Sequence, residues 1–124
     1  LLSDRSFGIV FLTIFEGTAM QIHVHTDHTI HGTEELTTDV QTTITGALSR
    51  FTNYLTRVEA HLSDENGHKS GGDDIKCVIE VRPTGRQPIA VTHHAPNVSL
   101  AVRGASDKMK STLATTYDKL TDHR

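Results

Sequence analysis

Residues 55–97, LTRVEAHLSDENGHKSGGDDIKCVIEVRPTGRQPIAVTHHAPN, constrain the fold more than any other stretch. Apolar and polar residues alternate through 57–62, with Val58, Ala60 and Leu62 on one face and Arg57, Glu59 and His61 on the other. The same period of two returns in 75–81, where Ile75, Cys77, Ile79 and Val81 oppose Lys76, Val78, Glu80 and Arg82. Period two is the signature of a half-buried strand. Pro83-Thr84-Gly85 ends the second run, and a third, 88–94, follows at hairpin distance, with proline at the first position, where a missing donor is tolerated. The intervening SDENGHKSGGDD has no apolar residue and is expected to be a solvated loop. Three strands in an antiparallel meander follow, one face for a core and one left open.

The flanks supply a layer for the core face. Residues 21–25 alternate, Ile22 and Val24 inward, His23 and His25 outward, predicting a first strand. Residues 33–55 place Leu36, Val40, Ile44, Ala47, Leu48, Phe51 and Leu55 at helical spacing, with Glu34 and Glu35 in the first turn, where negative charge suits the helix dipole. Its threonines and Gly46 make that helix intrinsically weak, so burial of the stripe must stabilise it. Asn97, behind Pro96, is a helix N-cap, and Val98, Val102, Ala105, Met109, Leu113, Tyr117 and Leu120 mark the buried face of a second helix running to about the chain end. The predicted fold is α+β, ordered β-α-β-β-β-α, with two helices packed on one face of a four-stranded sheet. A right-handed crossover sets the first strand parallel beside the second.

At 124 residues the chain is expected to be one domain burying roughly two thirds of its unfolded surface. Residues 1–19 sit apart. Their apolar run, 8–15, is far short of the roughly twenty residues that span a bilayer, and no basic leader or cleavage site accompanies it. Met20 reads as a natural start, so 1–19 is expected to be an extension outside the core, with 20–124 the functional domain. A net charge of −3 argues against a generic polyanion binder, but nine histidines would carry it to +6 if all were protonated. The single cysteine, Cys77, excludes an internal disulfide, and its apolar-face position predicts a buried thiol in a cytoplasmic protein.

In this order, Met20-Gln-Ile, TRVEAHLSDEN at 56–66, GGDDIKC at 71–77, EVRPTGRQPIAVTHHAPNV at 80–98 and ASDKMKSTL at 105–113 resemble the ribosome hibernation promoting factor and ribosome-associated inhibitor family, also called sigma-54 modulation proteins. The resemblance covers residues 20–124. It implies a fold reminiscent of double-stranded-RNA-binding domains. It also implies binding to the small ribosomal subunit and its ribosomal RNA, in the channel for messenger and transfer RNA, which shuts off translation in resting or stressed cells. Long members add a C-terminal dimerisation domain, and this chain resembles a short member expected to lack it. Family members carry several basic residues on the first helix, whereas TTDVQTTITGALSR supplies only Arg50. By position, the phosphate contacts implied are Arg50 and Arg57, Lys76, Arg82 and Arg86 around the long hairpin, and Lys108 and Lys110 on the second helix. Such contacts position a protein on A-form RNA without reading sequence. With no Trp, two Tyr and four Phe, base stacking is not expected as the main mode.

The same residues also have plainer structural roles. Lys108 and Lys110 read more readily as solvated helix charges than as RNA contacts, and Arg57 and Glu59 as partners of Lys76, Glu80 or Arg82 across strands. Asp64, Glu65, Asp73 and Asp74 read as a solubilising loop without the spacing of a magnesium or calcium site. His23, His25, His61 and one of His93 or His94, taken as His94, are expected on the open face. Protonation near a pH of about 6.5 would let them recruit RNA phosphate as the cell acidifies. A His-rich zinc site is the alternative, but alternation alone also gives His-x-His and no cysteine pair supports it, so no metal or other cofactor is expected. Neither His93-His94 nor Ser63-Asp64 has catalytic spacing, and no Gly-rich phosphate loop or HExxH word occurs, so no enzyme is expected. A module that self-associates through a sheet edge stays open. The free protein is otherwise expected to be monomeric, with no membrane and no small-molecule substrate.

Overall fold

The computed structural model describes residues 20–27, 30, 32–65 and 75–122, with side chains through residue 118. The readings made for residues 1–19, for Asp73 and Asp74 and for the Leu120 side chain lie outside the described residues. The elements are β1 (Gln21–Thr26), α1 (Glu34–Ala47), the 3₁₀ helix η1 (Ser49–Tyr54), β2 (Leu55–Asp64), β3 (Ile75–Pro83), β4 (Ile89–Ala95) and α2 (Val98–Asp122). The sheet order is β1-β2-β3-β4, with β1 parallel to β2 and the other pairs antiparallel. This is the α+β arrangement expected from the periodicities.

Each strand contributes its alternating apolar set to one layer. Ile22 and Val24, then Val58, Ala60 and Leu62, then Cys77, Ile79 and Val81 are all buried. Over them lie Val40 and Ile44 of α1, Phe51 of η1, and Ala101, Val102, Ala105, Met109 and Leu113 of α2. Each fully buried side chain of the Val, Leu, Ile, Phe or Met type contributes about 1.5–3 kcal/mol, so this two-layer sandwich holds itself without cross-links. Burial pushes the Cys77 thiol up to about 12, which leaves it a protonated core group at neutral pH.

The first helix is shorter than its apolar spacing predicts. The stripe continues to Leu55, but α1 stops at Ala47 and the chain tightens into η1 before β2 begins at Leu55. Side chains take up carbonyls at the break: Ser49 Oγ donates to the Gly46 carbonyl and Thr52 Oγ1 to the Ser49 carbonyl, each at 3.3 Å. Polar side chains that bond the backbone locally compete with helix continuation in this way. The tighter turn still delivers Phe51 to the core. At the other end Thr33 Oγ1 caps α1 by accepting from Leu36 N at 3.0 Å, and Asn97 Oδ1 caps α2 by accepting from Leu100 N at 2.9 Å.

Two glycines have positional meaning. Gly85, at φ 73°, supplies the left-handed residue of the β3-β4 turn. Gly104 of α2 lies against the His93 ring, and a Cβ there would collide with it. His93 therefore belongs to the helix-packed face of β4, and His94 is the one that faces outward.

Candidate nucleic-acid interface

The helices cover one face of the sheet, and strand register arranges the other face in four rows. The first is Gln21, Arg57 and Arg82, and the second His23, Glu59, Glu80 and Ala90. The third is His25, His61, Val78 and Thr92, and the fourth Ser63, Lys76 and His94. Register thus puts Arg57 directly across from Arg82, and Glu59 directly across from Glu80. Like charges directly opposite are destabilising, so each needs relief along its own strand. Arg57 Nε approaches Glu59 Oε2 at 2.6 Å, an ion pair between residues two apart on β2 and not the cross-strand pair expected from the sequence.

Glu59 is the electrostatic centre of this face. Burial pushes its carboxyl up, but Arg57, then His25, His61 and His23, outweigh that and hold it below the usual carboxylate range. Its second oxygen, Oε1, lies 3.3 Å from His61 Nε2 and 3.7 Å from His25 Nε2. The His25 and His61 rings stack with centroids 4.7 Å apart and planes 9° from parallel. Burial lowers the pKa of His25, and His61 lowers it further, against the opposing pull of Glu59. His23 is lowered by burial and then by Arg57. These two imidazoles therefore take up protons only below the pH at which a free histidine does. At the far end, Glu65 lies 3.3 Å from His94 Nε2 and 3.5 Å from Lys76 Nζ.

Four of the seven cations implied by the resemblance gather at one pole. Arg57 opens β2 and Arg82 closes β3, while Arg86 follows in the turn and Arg50 sits on η1. The pole is tied together by backbone, Thr84 N donating to the Tyr54 carbonyl at 2.8 Å. Arg50 pairs with Asp118 of α2 at 3.2 Å and lies over the Phe51 ring. Arg86 lies over the Tyr117 ring, 5.5 Å from its centroid. Lys76 stands at the opposite end of the sheet, so it does not join this group. Lys108 Nζ donates to the Thr92 carbonyl at 2.8 Å, covering a polar group of the edge strand β4. Lys110 is exposed on α2, and among the described residues neither it nor Arg82 has an acidic partner.

Two features escape the sequence reading. Tyr54 and Tyr117 stack at 4.2 Å at this same pole, with Tyr54 46% exposed, so a small aromatic surface accompanies the arginines. Nothing in local patterning pairs residues 63 positions apart, although Tyr54 just ahead of a strand was a signal. Arg103 is the other, an exposed cation of α2 that lines a shallow groove with His93 and His94 of β4.

Fold and surface together define a small α+β module with a charged, imidazole-rich open sheet and a basic pole. The chain belongs to the family described as sigma 54 modulation protein / S30EA ribosomal protein, whose model matches residues 20–121. It is similar in fold to the N-terminal domain of Thermus thermophilus Protein Y, with a TM-score of 0.59 and 14% identity, covering 80% of this chain and 97% of that one. No curated protein sequence matches. The family resemblance drawn from the motifs is thereby borne out.

Proposed function

We propose that this protein is a ribosome hibernation factor that occupies the messenger and transfer RNA channel of the small subunit, holding ribosomal RNA through its backbone and blocking translation. Membership of the sigma 54 modulation family supports a ribosome-associated role of this type. The observation that carries the site is the convergence of Arg50, Arg57, Arg82 and Arg86 on one pole beside the Tyr54–Tyr117 stack. Guanidinium groups form forked hydrogen bonds with phosphate, and a pole of four suits a rigid RNA surface. Lys76, Lys108 and Lys110 are the outlying contacts of this reading. The open-face carboxylates Glu59 and Glu80 limit nonspecific attraction, which suits a binder selected by RNA shape. His61 and His94 are the exposed imidazoles of the open face, while His23 and His25 charge only below the pH at which a free histidine does. The role is binding, and no bond is made or broken.

Competition tests this reading. Small subunits loaded with messenger and initiator transfer RNA should lose most of their affinity for the protein, and empty subunits should retain it. Equal binding to loaded and empty subunits would place the protein elsewhere on the ribosome.

A further inference from the structure

Beyond RNA binding, and independently of it, we propose that His25, Glu59 and His61 form a binding site for a divalent zinc-class metal ion on the open face of the sheet. One ligand atom from each of the three lies within 4.8 Å of the others. Both Nε2 atoms lie near the same carboxylate oxygen, Glu59 Oε1, His61 at 3.3 Å and His25 at 3.7 Å. Zinc bonds of about 2.0–2.1 Å in a tetrahedron separate neighbouring ligand atoms by about 3.3 Å, so the carboxylate oxygen is already near ligand spacing from each imidazole and the two stacked rings must close toward each other to share an ion. The other carboxylate oxygen lies 2.6 Å from Arg57 Nε, a charge contact without hydrogen-bond alignment, which leaves Oε1 to the imidazoles.

Two further observations point the same way. His25 Nε2 is buried and has no hydrogen-bond partner, which is a cost that an ion would remove. Glu59 stands across from Glu80, a like-charged juxtaposition that a dication relieves. The rings are parallel, so capture requires the His61 ring, at the more exposed of the two positions, to tilt its lone pair toward the ion. Two imidazoles and a carboxylate are borderline nitrogen and oxygen donors. That set suits zinc and its first-row neighbours and leaves the fourth position to water.

The experiment is calorimetric titration of the untagged full chain with zinc chloride at pH 7.5, with cobalt(II) absorption as the second readout. A saturable 1:1 site is expected, and cobalt should show the visible bands of a four-coordinate nitrogen and oxygen site. His61→Ala, at a half-exposed position that the fold tolerates, and His25→Ala should each weaken binding more than about tenfold, the least expected when even an outer-shell partner is lost. His94→Ala, on another row, should leave it unchanged. No saturable binding, or binding that survives His61→Ala and His25→Ala, overturns the proposal and assigns any uptake to the other histidines.

Discussion

Glu59 shows how one side chain sets the chemistry of a whole surface. It is paired along its strand with Arg57, faces Glu80 across the strand, and has two stacked imidazoles at its free oxygen. A pH dependence of stability follows from the imidazoles. The folded-state pKa values of His23 and His25 are lowered, while the unfolded chain takes up protons near the ordinary value of about 6.5. Below that pH the unfolded state binds more protons, so stability falls with pH until the folded-state values are passed. Urea midpoints should therefore decrease between pH 7.5 and 5.5, and His25→Ala should flatten that slope. A midpoint that rises on acidification would show that Glu59 outweighs burial. The positions of these histidines on the open face were legible, because alternation alone assigns odd residues of β1 and β2 to one side. Their convergence on one carboxylate was not, because it depends on the register between β1 and β2, which is set by a crossover 28 residues long.

Among the elements, strands were easier to read than helix ends. β1, β2 and β3 advertise themselves through buried alternate residues and extend one or two residues past the expected ends, while β4, whose alternate residues are only half-buried, is shifted by one so that Pro88 lies before it. The first helix misled because Leu48, Phe51 and Leu55 keep helical spacing and are all buried, yet they are delivered by a helix end, a 3₁₀ turn and a strand. Burial pattern records which residues reach the core and not the backbone that carries them there. The second helix was plain from its cap. Removing the bond from Asn97 Oδ1 to Leu100 N should cost about 1 kcal/mol. Chemical denaturation should therefore show Asn97→Ala destabilised by about that amount and Asn97→Asp nearly unchanged. Equal losses in both would mean that the amide group matters for another reason.

At the scale of the molecule, the proposed function requires a chain of net charge −3 to hold a polyanion. Its charges are segregated: carboxylates Glu59 and Glu80 lie in the middle of the open sheet, while Arg50, Arg57, Arg82 and Arg86 collect where η1, β2, β3 and the β3-β4 turn meet. Net charge hid this pole, because the four arginines are spread over 37 positions of sequence and are brought together only by the hairpin. Among the described residues no helix is long and apolar enough to cross a membrane. The most direct test is the affinity for purified small ribosomal subunits as a function of salt. Each phosphate contact contributes about 0.7–0.9 to the slope of log affinity against log salt. The account predicts a steep slope that drops by about 1.4–1.8 when Arg82 and Arg86 are both replaced by Gln, with the fold intact by circular dichroism. A slope that is flat, or that the double substitution leaves unchanged, would contradict an arginine pole gripping RNA.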